Sequence, residues 1–298
     1  GDDVYYLTGE TAATRVPGFF VPAPMHNDGN YIISLGELCR WLGDQAEALG
    51  VNIFPGFAAS QVIYEEGRVA GVVTGDMGVA EDGSHTPTYE PGYELRARYT
   101  IFTDGCRGSL GKELMQKFDL RAASDPQHYG IGIKEIWEIP AEKHQEGLVI
   151  HGLGWPLSES GSSGGAFMYH AENNQVYIGL ITDLNYSNPH VSPFEEFNRW
   201  KHHPETLKYL EGGSRLSYGA RAIAIGGLTW LPKMHFPGGL LIGCDAGSLN
   251  SVKILGNHSA MKSGLVAAEA VVEAVLQGDD APADLASFTS KIESSWLH

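Results

Sequence analysis

Two stretches of this chain carry residue types that could do chemistry on a bound ligand. The first covers residues 238–264. Gly238-Gly239-Leu240-Leu241-Ile242-Gly243-Cys244-Asp245-Ala246-Gly247 reads as a short buried strand with an aspartate where it ends. Gly256-Asn257-His258-Ser259-Ala260-Met261-Lys262-Ser263-Gly264 reads as a Gly-rich crossing into a helix. Backbone N–H groups at a helix N-terminus attract phosphate or the electron-rich edge of a ring, and a strand-end carboxylate accepts hydrogen bonds from sugar-like hydroxyls. A ligand with both features is a dinucleotide, and a flavin dinucleotide adds a ring that gains from the helix dipole. The alternative is an ordinary strand–loop–helix unit with glycine at its turns. The second stretch, Asp104-Gly105-Cys106-Arg107-Gly108-Ser109, is a junction of the same kind, where a strand runs into glycines and then a helix.

Other motifs fail on inspection. Gly130-Ile131-Gly132-Ile133-Lys134-Glu135 starts like a dinucleotide fingerprint but has Glu where the third Gly belongs, and it sits inside an alternating strand. Residues 256–263 resemble a phosphate-binding loop, but Met261 replaces the glycine before the lysine that lets such a loop wrap phosphates. Gly161-Ser162-Ser163-Gly164-Gly165 lacks the flanks of a nucleophile elbow. The twelve histidines show no metal-ligand spacing, and His202-His203 read as solvated residues of a helix. No catalytic side chain and no metal site is assigned.

The elements that must position these residues have an α/β rhythm at both ends. Ser34 caps a helix with Glu37 closing a capping box, Leu35, Leu38, Leu42, Ala46 and Leu49 share one face, and Gly50 ends it. Residues 51–54 read as a strand, 61–64 and 68–74 as a hairpin turning at Glu65-Glu66-Gly67, and 93–103 as one strand before a helix at 110–118. Residues 78–92 are a polar excursion. Residues 129–139, 147–153, 166–170 and 175–182 alternate as in a mostly antiparallel sheet, 193–209 is helical, and a short final helix begins near 279. This pattern predicts a sheet-rich domain inserted between two pieces of an α/β domain. Residues 4–29 read as loop, with Phe19-Phe20-Val21 packed under the next segment or, alternatively, offered to a membrane or partner.

Composition bounds the partners. A 298-residue chain can bury a full core, and a net charge of −16 argues against nucleic acid and gives no polybasic anchor for anionic lipid. Three widely spaced cysteines, Cys39, Cys106 and Cys244, read as reduced thiols. No apolar run is long enough to span a bilayer, and no cleavable signal is visible.

Taken together, Gly29-Asn30-Tyr31-Ile32, Gly43-Asp44-Gln45-Ala46-Glu47-Ala48-Leu49-Gly50-Val51, Tyr129-Gly130-Ile131-Gly132, Arg199-Trp200-Lys201-His202-His203-Pro204, Tyr218-Gly219-Ala220-Arg221-Ala222, Phe236-Pro237-Gly238-Gly239-Leu240-Leu241-Ile242-Gly243-Cys244 and residues 258–264 resemble the electron transfer flavoprotein–ubiquinone oxidoreductase family. The resemblance runs along essentially the whole chain. It implies a membrane-associated flavoprotein that passes electrons from reduced electron transfer flavoprotein, through FAD and a 4Fe-4S cluster, to ubiquinone. Such a protein is an electron-transferring-flavoprotein dehydrogenase, peripheral or monotopic on an energy-transducing inner membrane, on the bacterial cytoplasmic or mitochondrial matrix face. The family's N-terminal Gly-rich fingerprint and its cluster-ligating cysteines are missing, so the chain reads as the central part of a longer protein. Two other readings are a related FAD-dependent dehydrogenase or monooxygenase with another acceptor, and a non-catalytic quinone- or membrane-docking piece.

The fold implied is α/β plus α+β. An incomplete FAD-binding α/β domain of the glutathione-reductase-like type (residues 34–122 and 236–298) holds an inserted, mostly antiparallel ubiquinone domain (1–33 and 123–235). The resemblance assigns Asp104, Gly105, Gly243, Asp245, Gly256, Asn257 and His258 to FAD. Asp245 would lie at the ribityl or pyrophosphate part, Asn257 at the ribityl chain, and the helix starting near His258 would aim its N-terminus at the ring. It assigns Gly164 and Gly165 to ubiquinone, where the missing side chains let backbone groups approach a flat carbonyl ligand.

Overall fold

The computed structural model describes residues 2–27, 29–250 and 255–298. Its strands are β1 (Asp2–Leu7), β2 (Ala13–Arg15), β3 (Ala59–Glu65), β4 (Arg68–Thr74), β5 (Met77–Val79), β6 (His85–Glu90), β7 (Glu94–Arg96), β8 (Thr100–Phe102), β9 (His128–Glu138), β10 (Val149–Gly154), β11 (Gly164–His170), β12 (Gln175–Asp183), β13 (Ser214–Ile225), β14 (His235–Phe236) and β15 (Gly239–Leu241). Its helices are α1 (Leu35–Ala48), α2 (Ser109–Lys117), α3 (Pro193–His202), α4 (Pro204–Leu210), α5 (Gly243–Ala246), α6 (Asn257–Val275) and α7 (Ser287–Glu293). The chain divides into two compact units, Gly1–Ile53 with His128–Ile223 and Phe54–Gln127 with Ala224–His298.

The first unit is built on a seven-stranded sheet in the order β13-β9-β12-β11-β10-β1-β2. β10, β11, β12 and β9 pair antiparallel in sequence, and β1 joins parallel to β10 with Tyr5 opposite Gly152. Period-two alternation sends Ala166, Met168 and His170 of β11 and Val176, Ile178 and Leu180 of β12 into one core with Phe197, Trp200 and Leu210 of α3 and α4. Phe197 and Trp200 stack at 6.0 Å and are nearly fully buried, which contributes about 1.5–3 kcal/mol per ring. Glu135 of β9 is buried on that face, accepting from Trp137 Nε1 (2.8 Å), Lys201 Nζ (3.0 and 3.1 Å) and Arg215 (3.1 Å). The ion pair ties β9 to α3 and β13.

In the second unit β15 runs parallel to β8, with Leu240 opposite Ile101, and β14 flanks β15. Leu241, Phe236 and Phe102 pack with Leu110 and Leu114 of α2, while Leu240 packs with Val266, Ala267, Ala270 and Ala274 of α6. Alanines on the buried face of α6 let the helix lie close to the strand. The hairpin β3–β4 turns at Glu66 and Gly67, both at positive φ, as expected.

Several sequence expectations are corrected. Residues 51–54 form no strand. The single strand expected over 93–103 is two: β7 pairs with β4 and β8 with β15. The excursion at 78–92 contains the β5–β6 hairpin. The helix over 193–209 breaks at Pro204, whose ring holds the preceding His203 extended at ψ 136. His203 is fully buried, caps α4 and accepts from the Glu205 N–H, whereas His202 is exposed as expected. The loop expected at 4–29 carries β1 and β2, and β13 was not anticipated. Phe19 and Phe20 are 82% and 69% exposed, not packed. The α1 cap forms, with Ser34 Oγ accepting from the Glu37 N–H, yet no residue of α1 is buried. Residues 34–53 fall in the first unit, whereas the sequence put 34–122 together.

Candidate functional site

The two strand–glycine–helix junctions lie side by side. Parallel pairing of β8 with β15, extended by the Ile242 N–H donating to Phe102 O (3.2 Å), brings Asp104 and Asp245 together beyond the C-terminal strand ends. That is where open parallel sheets place ligands. The Asp104 N–H donates to Asp245 Oδ2 at 3.2 Å. Asp245 is 6% exposed and rests against the first turn of α2, where a Cβ on Gly108 or Gly111 would run into its carboxylate. Burial, and then the Asp104 charge, push its pKa up to about 6 against the opposing Asp104 hydrogen bond. Burial and the neighbouring Asp245 also raise the Cys244 thiol.

Gly243 (φ 62) turns the chain after β15 and donates its N–H to Ser263 Oγ at 3.2 Å, which locks the turn to α6. Gly105 (φ 91) makes the corresponding turn after β8. Gly256 precedes α6 with no side-chain cap and no acidic residue in the first turn, so the helix presents an uncapped, electropositive end. His258, in that first turn, stacks on Trp296 with ring centroids 5.7 Å apart. It also lines a cavity of about 380 Å³ with Gly226, Gly227, Ser248, Asn250 and Trp296.

The structure thus joins Asp104, Gly105, Gly243 and Asp245 at the strand ends, and Gly256, Asn257 and His258 at the start of α6. Of these seven only His258 lines the cavity among the described residues, and Asp245 faces α2. Sequence reading missed the residues that shape the loops. A Cβ on Gly247 (φ 85) would meet Gln127 Oε1 at 2.5 Å, and Gln127 Nε2 donates to Ile225 O at 3.1 Å. Gln127 therefore hydrogen-bonds one of the glycine loops that wall the cavity and packs against the other. Nothing in a linear sequence marks a glutamine for that role. Ser248 was also missed, and its Oγ is buried with no hydrogen-bond partner among the described residues.

Gly164 and Gly165 begin β11. Gly164 lies at φ 152, where a Cβ would collide with the Ile181 carbonyl oxygen of β12, so close strand approach alone explains the glycine. A Cβ on Gly165 would lie 3.1 Å from both Gly152 O and Leu153 Cδ2, tight but not forbidden. Gly165 shares its sheet face with Phe167 and Tyr169, whose rings stack at 4.8 Å, and Phe167 lies over Gly179 of β12. This sheet face is closely packed: Leu153 lies against Gly165 and the Phe167 ring covers Gly179.

An uncapped helix start, glycine loops around a cavity and an unsatisfied buried hydroxyl fit a flavin dinucleotide. The cysteines do not fit an iron–sulfur cluster: no group of three or more His, Cys, Asp or Glu among the described residues could hold a metal. No described helix is long and apolar enough to cross a membrane.

The family model described as "ETF-QO, ubiquinone-binding" matches residues 129–223. The electron transfer flavoprotein-ubiquinone oxidoreductase of Pseudomonas aeruginosa is 58% identical over 100% of this chain and 54% of its own length. The mitochondrial protein of that name from Bos taurus is 48% identical over 96% of this chain and 48% of its own length. Among solved structures, a geranylgeranyl bacteriochlorophyll reductase-like protein from Thermoplasma acidophilum superposes with a TM-score of 0.66 at 17% identity, over 86% of this chain and 58% of that one. The flavin-dependent brominase Bmp2 gives 0.59 at 14%, over 98% and 65%. These two show a shared mixed α/β fold. The chain spans about half the length of the curated relatives it matches. By sequence it is similar to the electron transfer flavoprotein–ubiquinone oxidoreductases.

Proposed function

We propose that the chain is the part of an electron-transferring-flavoprotein dehydrogenase that carries the ubiquinone site and one side of the FAD site, in a protein that passes electrons from reduced electron transfer flavoprotein to ubiquinone. The observation that carries this reading is 58% identity to such a protein along the entire chain. FAD, when bound, supplies the electron-accepting and electron-donating ring. The residues supply position and electrostatics. Gly243 and Gly105 turn the backbone out of the ligand's way, Asp245 and Asp104 offer acceptors at the strand ends, and Gly256, Asn257 and His258 present the positive end of α6. Gly164 and Gly165 leave backbone accessible to a flat quinone beside Phe167 and Tyr169. Exposed Phe19 and Phe20 support a peripheral seat on a membrane surface, at the inner-membrane face where quinone is available. An iron–sulfur cluster would have to be held by polypeptide other than this chain's cysteines.

The test is Gly165→Val in the full-length protein. Side-chain bulk at Gly165 lowers quinone reduction about ten-fold or more, while the visible flavin spectrum and flavin content stay those of the parent. Unchanged quinone turnover would remove Gly165 from the quinone site.

A further inference from the structure

Three serines lie around the cavity at the start of α6: Ser248, Ser259 and Ser263. Two have bonds of their own. Ser259 Oγ donates to Gly256 O at 2.9 Å, and Ser263 Oγ donates to Ala260 O at 2.7 Å while accepting from Gly243. The Ser248 Oγ is shut off from solvent and has no partner among the described residues. Leaving a buried hydroxyl unpaired is costly, and a native fold keeps such a group only with a reason.

The Ser248 backbone is fixed by one hydrogen bond, and its side chain can turn about χ1. Gly247 ends α5 in the left-handed conformation, and the Ser248 N–H donates to Gly243 O at 3.1 Å. Ser248 also lines the cavity, and χ1 is the one torsion that moves its hydroxyl. Turning it breaks no hydrogen bond among the described residues.

We infer that Ser248 is a hydrogen-bonding residue for the bound flavin dinucleotide, its hydroxyl turning into the cavity to meet a polar atom of the cofactor. This rests on the reading of the second unit as part of an FAD site. It adds a contact from the α5–α6 connection, which Asp245 and Asn257 flank.

The experiment uses the full-length protein, stripped of flavin and titrated with FAD while flavin fluorescence is followed, for the parent, Ser248→Ala and Ser263→Ala. Ser248→Ala should weaken FAD binding about five- to ten-fold, the worth of one hydrogen bond. The thermal midpoint of its flavin-free form should be unchanged or higher, because an unpaired hydroxyl has been removed. Ser263→Ala, which loses internal bonds, should lower the flavin-free midpoint. An FAD dissociation constant for Ser248→Ala equal to the parent's overturns the inference and leaves the FAD reading standing. A flavin-free midpoint that falls as it does in Ser263→Ala overturns it too, since the hydroxyl would then be structural. A parent that binds no FAD in the same titration defeats the FAD reading itself, and the inference with it.

Discussion

At the scale of single residues, Glu135 shows how a position that disqualifies one motif serves another purpose. Glu in the third-glycine place removed residues 130–135 from the dinucleotide fingerprints, and in the fold that carboxylate is 1% exposed at the centre of an ion-pair cluster. Burial alone would raise its pKa. The hydrogen bonds from Trp137, Lys201 and Arg215, with the Lys201 charge, outweigh that and hold it below the usual carboxylate range. Replacing Glu135 by Ala leaves Lys201, whose side chain is 12% exposed, without its counter-charge. Stability should fall by about 2–4 kcal/mol, less than for a fully buried pair because Arg215 is half in water. A urea unfolding midpoint within error of the parent's would contradict this. The Glu itself was legible in the sequence. Its cationic partners, 66 and 80 residues away, were not.

At the scale of elements, local signals were read well and pairings were not. The N-cap half of the box forms as its spacing predicts, Ser34 Oγ accepting from the Glu37 N–H within one turn. The packing of the same helix did not follow: none of α1 is buried. Ser34→Ala should therefore act locally, speeding amide hydrogen exchange in the first turns of α1 about five-fold for roughly 1 kcal/mol of lost capping. The global thermal midpoint should stay put. A shift of several degrees would mean that α1 is part of the cooperative core. The opposite failure is β1, whose parallel place beside β10 depends on a partner 147 residues away, Val149 for Asp2. Likewise the run at 93–103 is uniformly strand-like, and its division between two sheets follows only from where β4 and β15 lie.

At the scale of the whole molecule, two buried groups make stability depend on pH in opposite directions, one in each unit. His170 is fully buried, and burial, then the nearby His144, lower its pKa from 6.5 to about 4. Its contribution is complete above pH 6.5 and is lost as pH falls toward 4. Asp245 is raised from 3.8 to about 6, so its contribution is present below pH 3.8 and is lost as pH rises through 6. In the flavin-free protein Asp245→Asn should be more stable than the parent at pH 7 by up to about 3 kcal/mol. The difference should vanish by pH 4, as read from urea unfolding at a series of pH values. A constant difference across that range would show that the carboxylate does not titrate there.

What the sequence determined by itself is what neighbours along the chain can fix. That covers the Ser34 cap, the turn at Glu66 and Gly67, the alternation of β9 to β12, and the two strand–glycine–helix junctions. Each depends on groups within a few residues, where sterics and hydrogen bonding leave few choices. The family resemblance was legible for the same reason, as a set of short motifs. The tertiary structure alone decided that the two junctions meet, that Asp245 turns toward Gly108 and Gly111, that Gln127 sits against the glycine loops, and that the Ser248 hydroxyl has no hydrogen-bond partner among the described residues. These follow from long-range strand pairing and close packing, where a single carbonyl or methylene decides which way a side chain can face, and no local pattern encodes that.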